Sequence, residues 1–210
     1  MKKILFSIMM LFAINMMVSA ASDDSKYLAG AVPEENGMVV FKKSFSVPSN
    51  SPQEVSDKMR TFVNQLVETS ITAPGNYARV MEDNQKEGIV ARVCEWMVFK
   101  KKALNLDRTR FRYQISVKTE GNRVTMAITN LTYYYGEDME GEHGIIFKAE
   151  EWISDGEALN KAKTKLYPKS GKFRRKTVDR MEEIFDQAMD LFDVPKSVPM
   201  KKVRPNIIED

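Results

Sequence analysis

Histidine and cysteine are almost missing from this 210-residue sequence: each occurs once, as His143 and Cys94. One histidine excludes the His-Glu-x-x-His zinc signature and histidine-rich metal sites. It also leaves any serine or cysteine triad dependent on His143, which sits in an acidic stretch. One cysteine excludes an internal disulfide. The core alone must then hold the fold, which a chain of this size permits. Cys94 falls in an apolar, strand-like run and reads as buried and inert, because a reactive thiol needs an exposed, electropositive setting. The Gly-x-Ser-x-Gly elbow and the Ser-x-x-Lys motif are absent, and Leu166 stands where a P-loop ending at Lys172 would need glycine. No catalytic residue, metal ligand or cofactor is assigned.

Charge of one sign is also lacking overall. The 32 basic residues face 29 acidic ones. The first twenty residues hold two of those lysines and no acid, so their removal leaves 30 against 29. Such removal is expected. Lys2-Lys3, an apolar run from Ile4 to Ala13 and the small residues Val18-Ser19-Ala20 make a secretory signal peptide over 1–20. Ser7 and Asn15 interrupt the run, which falls short of the ~20 apolar residues of a membrane span. No cysteine stands near the cut to take a lipid anchor. The two-lysine start has a bacterial look. These features point to a periplasmic or secreted protein, with no transmembrane segment once the signal is cleaved. A near-neutral exported chain gives no reason to expect a nucleic-acid partner.

Beyond the signal, residues 21–37 read as a flexible leader, 38–193 as a single domain, and 194–210, with Pro195, Pro199 and Pro205 among lysines and arginine, as a tail. Val39, Phe41, Phe45 and Val47 share a parity and predict a strand. Ser51-Pro52-Gln53-Glu54 predicts a capped helix start, followed by an apolar stripe of Val55, Met59, Phe62, Val63 and Leu66 to about Ser70. Strands follow at 77–82, at 89–99 with both parities apolar, at 108–118 and 123–133 around a Glu120-Gly121-Asn122 turn, and at 145–152. Ser154–Glu157 predicts a short helix to about Lys165, broken at 167–171, and a terminal helix runs from about Lys172 to Asp193. The order implies an α+β fold in which two amphipathic helices cover one face of an antiparallel sheet. The clean alternation of Arg108–Lys118 leaves the other face wet.

Three segments resemble the Bacteroidetes family of exported proteins known as domain of unknown function 4468. They are Val40–Phe45 before the capped helix, Phe111–Lys118 with its return strand Arg123–Tyr133, and Lys148–Ile153 leading to Lys172–Asp179. The likeness spans about 38–193. It implies a TATA-binding-protein-like fold: a curved antiparallel sheet of about five to six strands backed by two main helices. It implies no activity and no site residues, and fold alone carries no function.

Two basic surfaces are candidates for ligand binding. Lys172, Arg174, Arg175 and Lys176 lie in a run of cations from Lys161 to Arg180, followed by the acids Glu182, Glu183, Asp186, Asp190 and Asp193. Cations at a helix N-terminus oppose the helix dipole, which hints at another use; the plain alternative is a solvated face with pairs such as Arg175 and Asp179. Arg108, Arg110 and Arg112 project from one strand face at steps of about 7 Å, where guanidinium forks suit carboxylates or phosphates. The plain alternative there is simple alternation that discourages edge pairing. The acidic loop Glu137–His143 does not match an EF-hand. Three functional readings stand: a non-enzymatic envelope protein that binds a protein partner or an anionic lipid or polysaccharide; a carboxylate-dependent hydrolase acting on envelope polymers, since its two acids need no local motif; and a structural or assembly subunit.

Overall fold

The computed structural model describes residues 24–70, 79–84, 88–102, 105–136 and 144–195. The expected signal peptide, the acidic loop 137–143 and the tail from 196 onward lie outside the described residues.

The domain is one antiparallel sheet with helices on one face. A two-residue ladder, β1 (Glu34–Glu35) with β2 (Met38–Val39), leads into β3 (Phe41–Ser46). Helix α1 (Pro52–Glu68) follows. Then come β4 (Arg79–Asn84), β5 (Gly88–Lys102), β6 (Asn105–Glu120), β7 (Arg123–Tyr135) and β8 (Ile145–Lys148). The short α2 (Asp155–Ala158) and the long α3 (Pro168–Asp190) close the chain. The sheet order is β3-β7-β6-β5-β4. Strand β8 shares the β3 side of β7, pairing with its second half while β3 pairs with its first.

Period-two alternation decides what each face carries. Phe111, Tyr113, Ile115 and Val117 of β6 point into the core, as do Ile89, Ala91, Val93 and Met97 of β5. Val55, Met59, Phe62, Val63 and Leu66 of α1 meet them, together with Phe173, Val178, Met181, Ile184, Phe185 and Ala188 of α3. On β7 the parity changes midway. Val124, Met126 and Ile128 face the core, then Leu131 and Tyr133 do. A bulge makes the change: Arg112 pairs with Thr132 but Gln114 with Thr129, so two residues oppose Tyr113, and one of them, Asn130, sits at φ +55°. Gly88 opens β5 at φ +104°, and a Cβ there would lie 2.1 Å from the Val117 carbonyl oxygen.

The capping box of α1 is present in full. The Ser51 hydroxyl accepts from the Glu54 backbone N–H, and the Glu54 carboxylate accepts from the Ser51 N–H at 2.8 Å. That backbone bond holds the Glu54 carboxyl below its usual pKa. Ser51→Ala is expected to cost about 1 kcal/mol, the usual loss for an N-cap hydroxyl, measured as a lower urea midpoint with unchanged slope.

Three expectations fail against the structure. Residues 24–37 are no flexible leader: a 3-10 turn at Asp24–Tyr27 packs on α3 and Val32 is buried. The predicted helix to Lys165 lasts only four residues, because Ser154 makes no side-chain cap bond and the chain bends back so that Leu159 bridges Leu166. The break at 167–171 is instead the start of α3. Pro168 takes the first helical position, where its missing N–H costs nothing. Gly171 then allows Leu166 to pack against the first turn, with that side chain 3.0 Å from where a Cβ would sit.

Candidate functional site

Among the described residues no helix covers the second face of the sheet, and β6 places Arg108, Arg110 and Arg112 on it. The registers set their neighbours. Arg110 stands between Trp96 of β5 and Tyr134 of β7, and Arg112 between Cys94 and Thr132. The Arg108 guanidinium stacks on the Trp96 ring at 3.6 Å from its centroid. Arg110 lies 5.3 Å from Trp96 and 5.9 Å from Tyr134, and Arg112 6.0 Å from Tyr134. Such contacts hold a guanidinium plane against a ring, and a guanidinium fork is shaped to meet carboxylate or phosphate oxygens. All three arginines are half-buried rather than splayed into solvent. Gly144 is pressed against this array: a Cβ there would meet the Tyr134 ring at 2.5 Å.

Beside the array lies an open cleft of about 430 Å³. Arg92, Cys94, Arg112, Gln114, Asn130 and Thr132 supply its polar lining. The Asn130 amide donates to Gln114 Oε1 at 3.4 Å. None of the described residues that line it is acidic. Burial pushes the Cys94 thiol up, and Arg112 offsets this only in part, so the thiol stays protonated at neutral pH. The described lining can donate hydrogen bonds to an anion.

The basic stretch is spent inside the fold. Arg174 is fully buried. It donates to the carbonyls of Tyr27, Leu28 and Ile153 and to Asp155 Oδ1, at 2.6–2.8 Å. Arg175 forms a bidentate pair with Asp24 at 2.7 and 2.6 Å. Lys172 bonds Asp107 and the Tyr135 hydroxyl and lies 4.5–5.4 Å from three ring centroids. Burial alone would lower the Lys172 pKa, yet those two bonds raise it. Arg180 grips Glu95 with both Nε and Nη2. Lys176 is exposed. Cations at the start of α3 therefore answer tertiary partners, which removes the hint drawn from the helix dipole. The expected Arg175–Asp179 pair is replaced as well. Asp179 takes Lys26 at 2.7 Å and the Tyr27 hydroxyl at 2.9 Å.

These bonds tie the N-terminal segment to α3, and Asp155 joins the two by accepting from both Arg174 and the Gly30 N–H. Burial pushes its carboxyl up, but the Arg174 bond and the Gly30 N–H outweigh this and leave the pKa below the ordinary value. A carboxyl depressed in the folded state stabilises above its unfolded pKa of ~3.9, and that contribution is lost as pH falls through the folded value. Urea midpoints taken from about pH 6 down to about pH 2.5 are expected to fall, and Asp155→Asn to remove part of that fall.

Sequence patterning singles out Arg112 but not Trp96, Tyr134 or the other cleft residues as site residues. Strand 89–99 is apolar on both parities, which hides Trp96 among core residues. Tyr134 changes face only through the Asn130 bulge. Among the described residues no group of three or more potential ligands is placed to hold a metal ion, and no helix is long and apolar enough to cross a membrane.

Residues 41–134 match the family model described as a domain of unknown function (DUF4468) with TBP-like fold. No curated protein matches the chain. A crystal structure of a TBP-like protein from Parabacteroides distasonis has a TM-score of 0.60 at 18% identity, covering 79% of this chain and 99% of that one; at that identity it supports the fold alone. A crystal structure of a DUF4468 family protein from Bacteroides ovatus has a TM-score of 0.72 and is 38% identical, covering 84% of this chain and 99% of that one. With that identity over nearly the whole relative, the chain belongs to the family of domain of unknown function 4468.

Proposed function

We propose that this is an exported envelope protein that binds an anionic envelope component through its uncovered sheet face and performs no reaction on it. One observation carries the reading: Arg108, Arg110 and Arg112 stand on successive rungs of that face, aligned by Trp96 and Tyr134, beside a cleft whose described lining offers donors and no acid. The chemistry recognised is a phosphate or carboxylate group. Lipid headgroups, lipopolysaccharide and acidic cell-wall polymers present such groups outside the cytoplasm. The N-terminal signal sequence supports that compartment.

The hydrolase reading finds no support in this cleft, because a glycosidase pair needs two carboxyls facing one substrate. The nearest acid on β5, Glu95, points to the helical side and is held by Arg180. Co-sedimentation tests the binding reading. Vesicles carrying lipopolysaccharide or phosphatidylglycerol should retain the protein at low salt and release it as the ionic strength shortens the Debye length below ~10 Å. Equal retention by phosphatidylcholine vesicles would count against an anionic ligand.

A further inference from the structure

The strand registers lay the arginine face out as a grid. Ile146, Tyr134, Arg110 and Trp96 form one row across four strands. At about 4.8 Å per strand, that row is about 14 Å wide. Lys148, Thr132, Arg112 and Cys94 form the row on one side of it. On the other side Val98 stands opposite Arg108, and beyond them Lys101 stands opposite Leu106. Asp107, between Arg108 and Leu106, turns to α3 and bonds Lys172, so by alternation Leu106 shares the arginine side.

The apolar side chains of this grid are exposed: Ile146 to 60%, Leu106 to 44% and Val98 to 37%. Among the described residues eight large apolar side chains are exposed, and four of them, these three and Ile145, fall at this one end of the sheet. Single exposed apolar residues are ordinary, whereas a cluster marks an interaction surface. Charge does not choose between a lipid headgroup and a water-soluble anion, because both present phosphate or carboxylate. The apolar residues do choose. A soluble polymer has nothing apolar to set against them, whereas a leaflet offers acyl chains to them and headgroups to the arginines at once. The order along the strands fits as well. Leu106 and Val98 come first, then Trp96 and Tyr134, then Arg112 with Lys148, which repeats acyl chain, interface and headgroup. Arg108 and Lys101, at the apolar end, have stems long enough to carry their charge back to the headgroups.

We infer, resting on the arginine-face reading, that the anionic component is a lipid surface, and that the sheet docks on a leaflet with Val98, Leu106 and Ile146 reaching the acyl boundary. Two probes separate this docking from anion binding alone: vesicles of phosphatidylglycerol in phosphatidylcholine, and polyphosphate, a multivalent soluble anion. Each is titrated into the exported protein and into its Leu106→Ser, Ile146→Ser double variant. Both side chains are exposed, and a urea midpoint shows that the variant is folded. The double variant should bind the vesicles about twenty-fold more weakly, from about four- to five-fold for each half-exposed side chain that the lipid withdraws from water. Its binding of polyphosphate should be unchanged. In a Trp152→Phe protein, where Trp96 is the remaining tryptophan, lipids brominated on their acyl chains should quench the emission. Equal vesicle binding by the double variant, or unquenched Trp96 emission from bound protein, would overturn the lipid docking and leave anion binding standing. Failure to bind either probe would overturn both.

Discussion

Arg174→Met lowers stability by about 3–5 kcal/mol, the usual cost of removing one member of a buried charge pair. The methionine fills much of the same space, so the loss comes from polar groups left behind. Asp155 keeps only the Gly30 N–H and a 3.7 Å contact to Lys163. The carbonyls of Tyr27 and Ile153 lose their Arg174 donor, the latter in a buried position, and Leu28 keeps only the Ala31 N–H. Arg174→Lys should fall between wild type and methionine, because an ammonium keeps the charge but cannot span four acceptors set around a planar fork. Urea unfolding measures the loss. Hydrogen exchange locates it, with amides of residues 24–31 opening first. A midpoint within error of wild type would show that the N-terminal segment is held by other means.

The second large effect is on binding. Arg110→Glu with Arg112→Glu should weaken association with anionic vesicles about hundred-fold, since each arginine offers charge-assisted hydrogen bonds of about 1.5–3 kcal/mol. Both guanidiniums are half-buried, so binding is compared once the urea midpoint of the double variant shows that it is folded. Lys176→Glu is the control, a cation of the basic stretch on the helical side. If it matched the loss of the double variant, the ligand would be reading bulk charge and not the arginine rank.

The architecture was legible because its signals are local. Ser51-Pro52-Gln53-Glu54 is a cap whose atoms meet as its spacing requires. The alternation of Arg108–Lys118 announced one dry face and one wet face, and the structure has helices on the dry one. The candidate cations were legible only as charges. Nothing local distinguishes Lys172, Arg174 and Arg175 from Arg108, Arg110 and Arg112, because the groups that hold the first three lie far along the chain. Asp24 is 151 residues from Arg175, and Tyr27 is 147 from Arg174. Segment 24–37 reads as flexible for the same reason, since the partners of its Asp24, Lys26 and Tyr27 lie on α3, about 150 residues away. The bulge at Asn130 was hidden too. One inserted residue flips every later side chain of β7, and only the pairing with β6 shows that Tyr134 stands with the arginines.

The most direct test follows the arginine Nε–Hε resonances while a lipopolysaccharide or phosphatidylglycerol sample is added to the full chain. The account predicts shifts at Arg108, Arg110 and Arg112, and none at Arg174, Arg175 or Arg180, which are held by internal partners. Shifts centred on the α3 arginines, or no shift at all with an anionic sample, would contradict it.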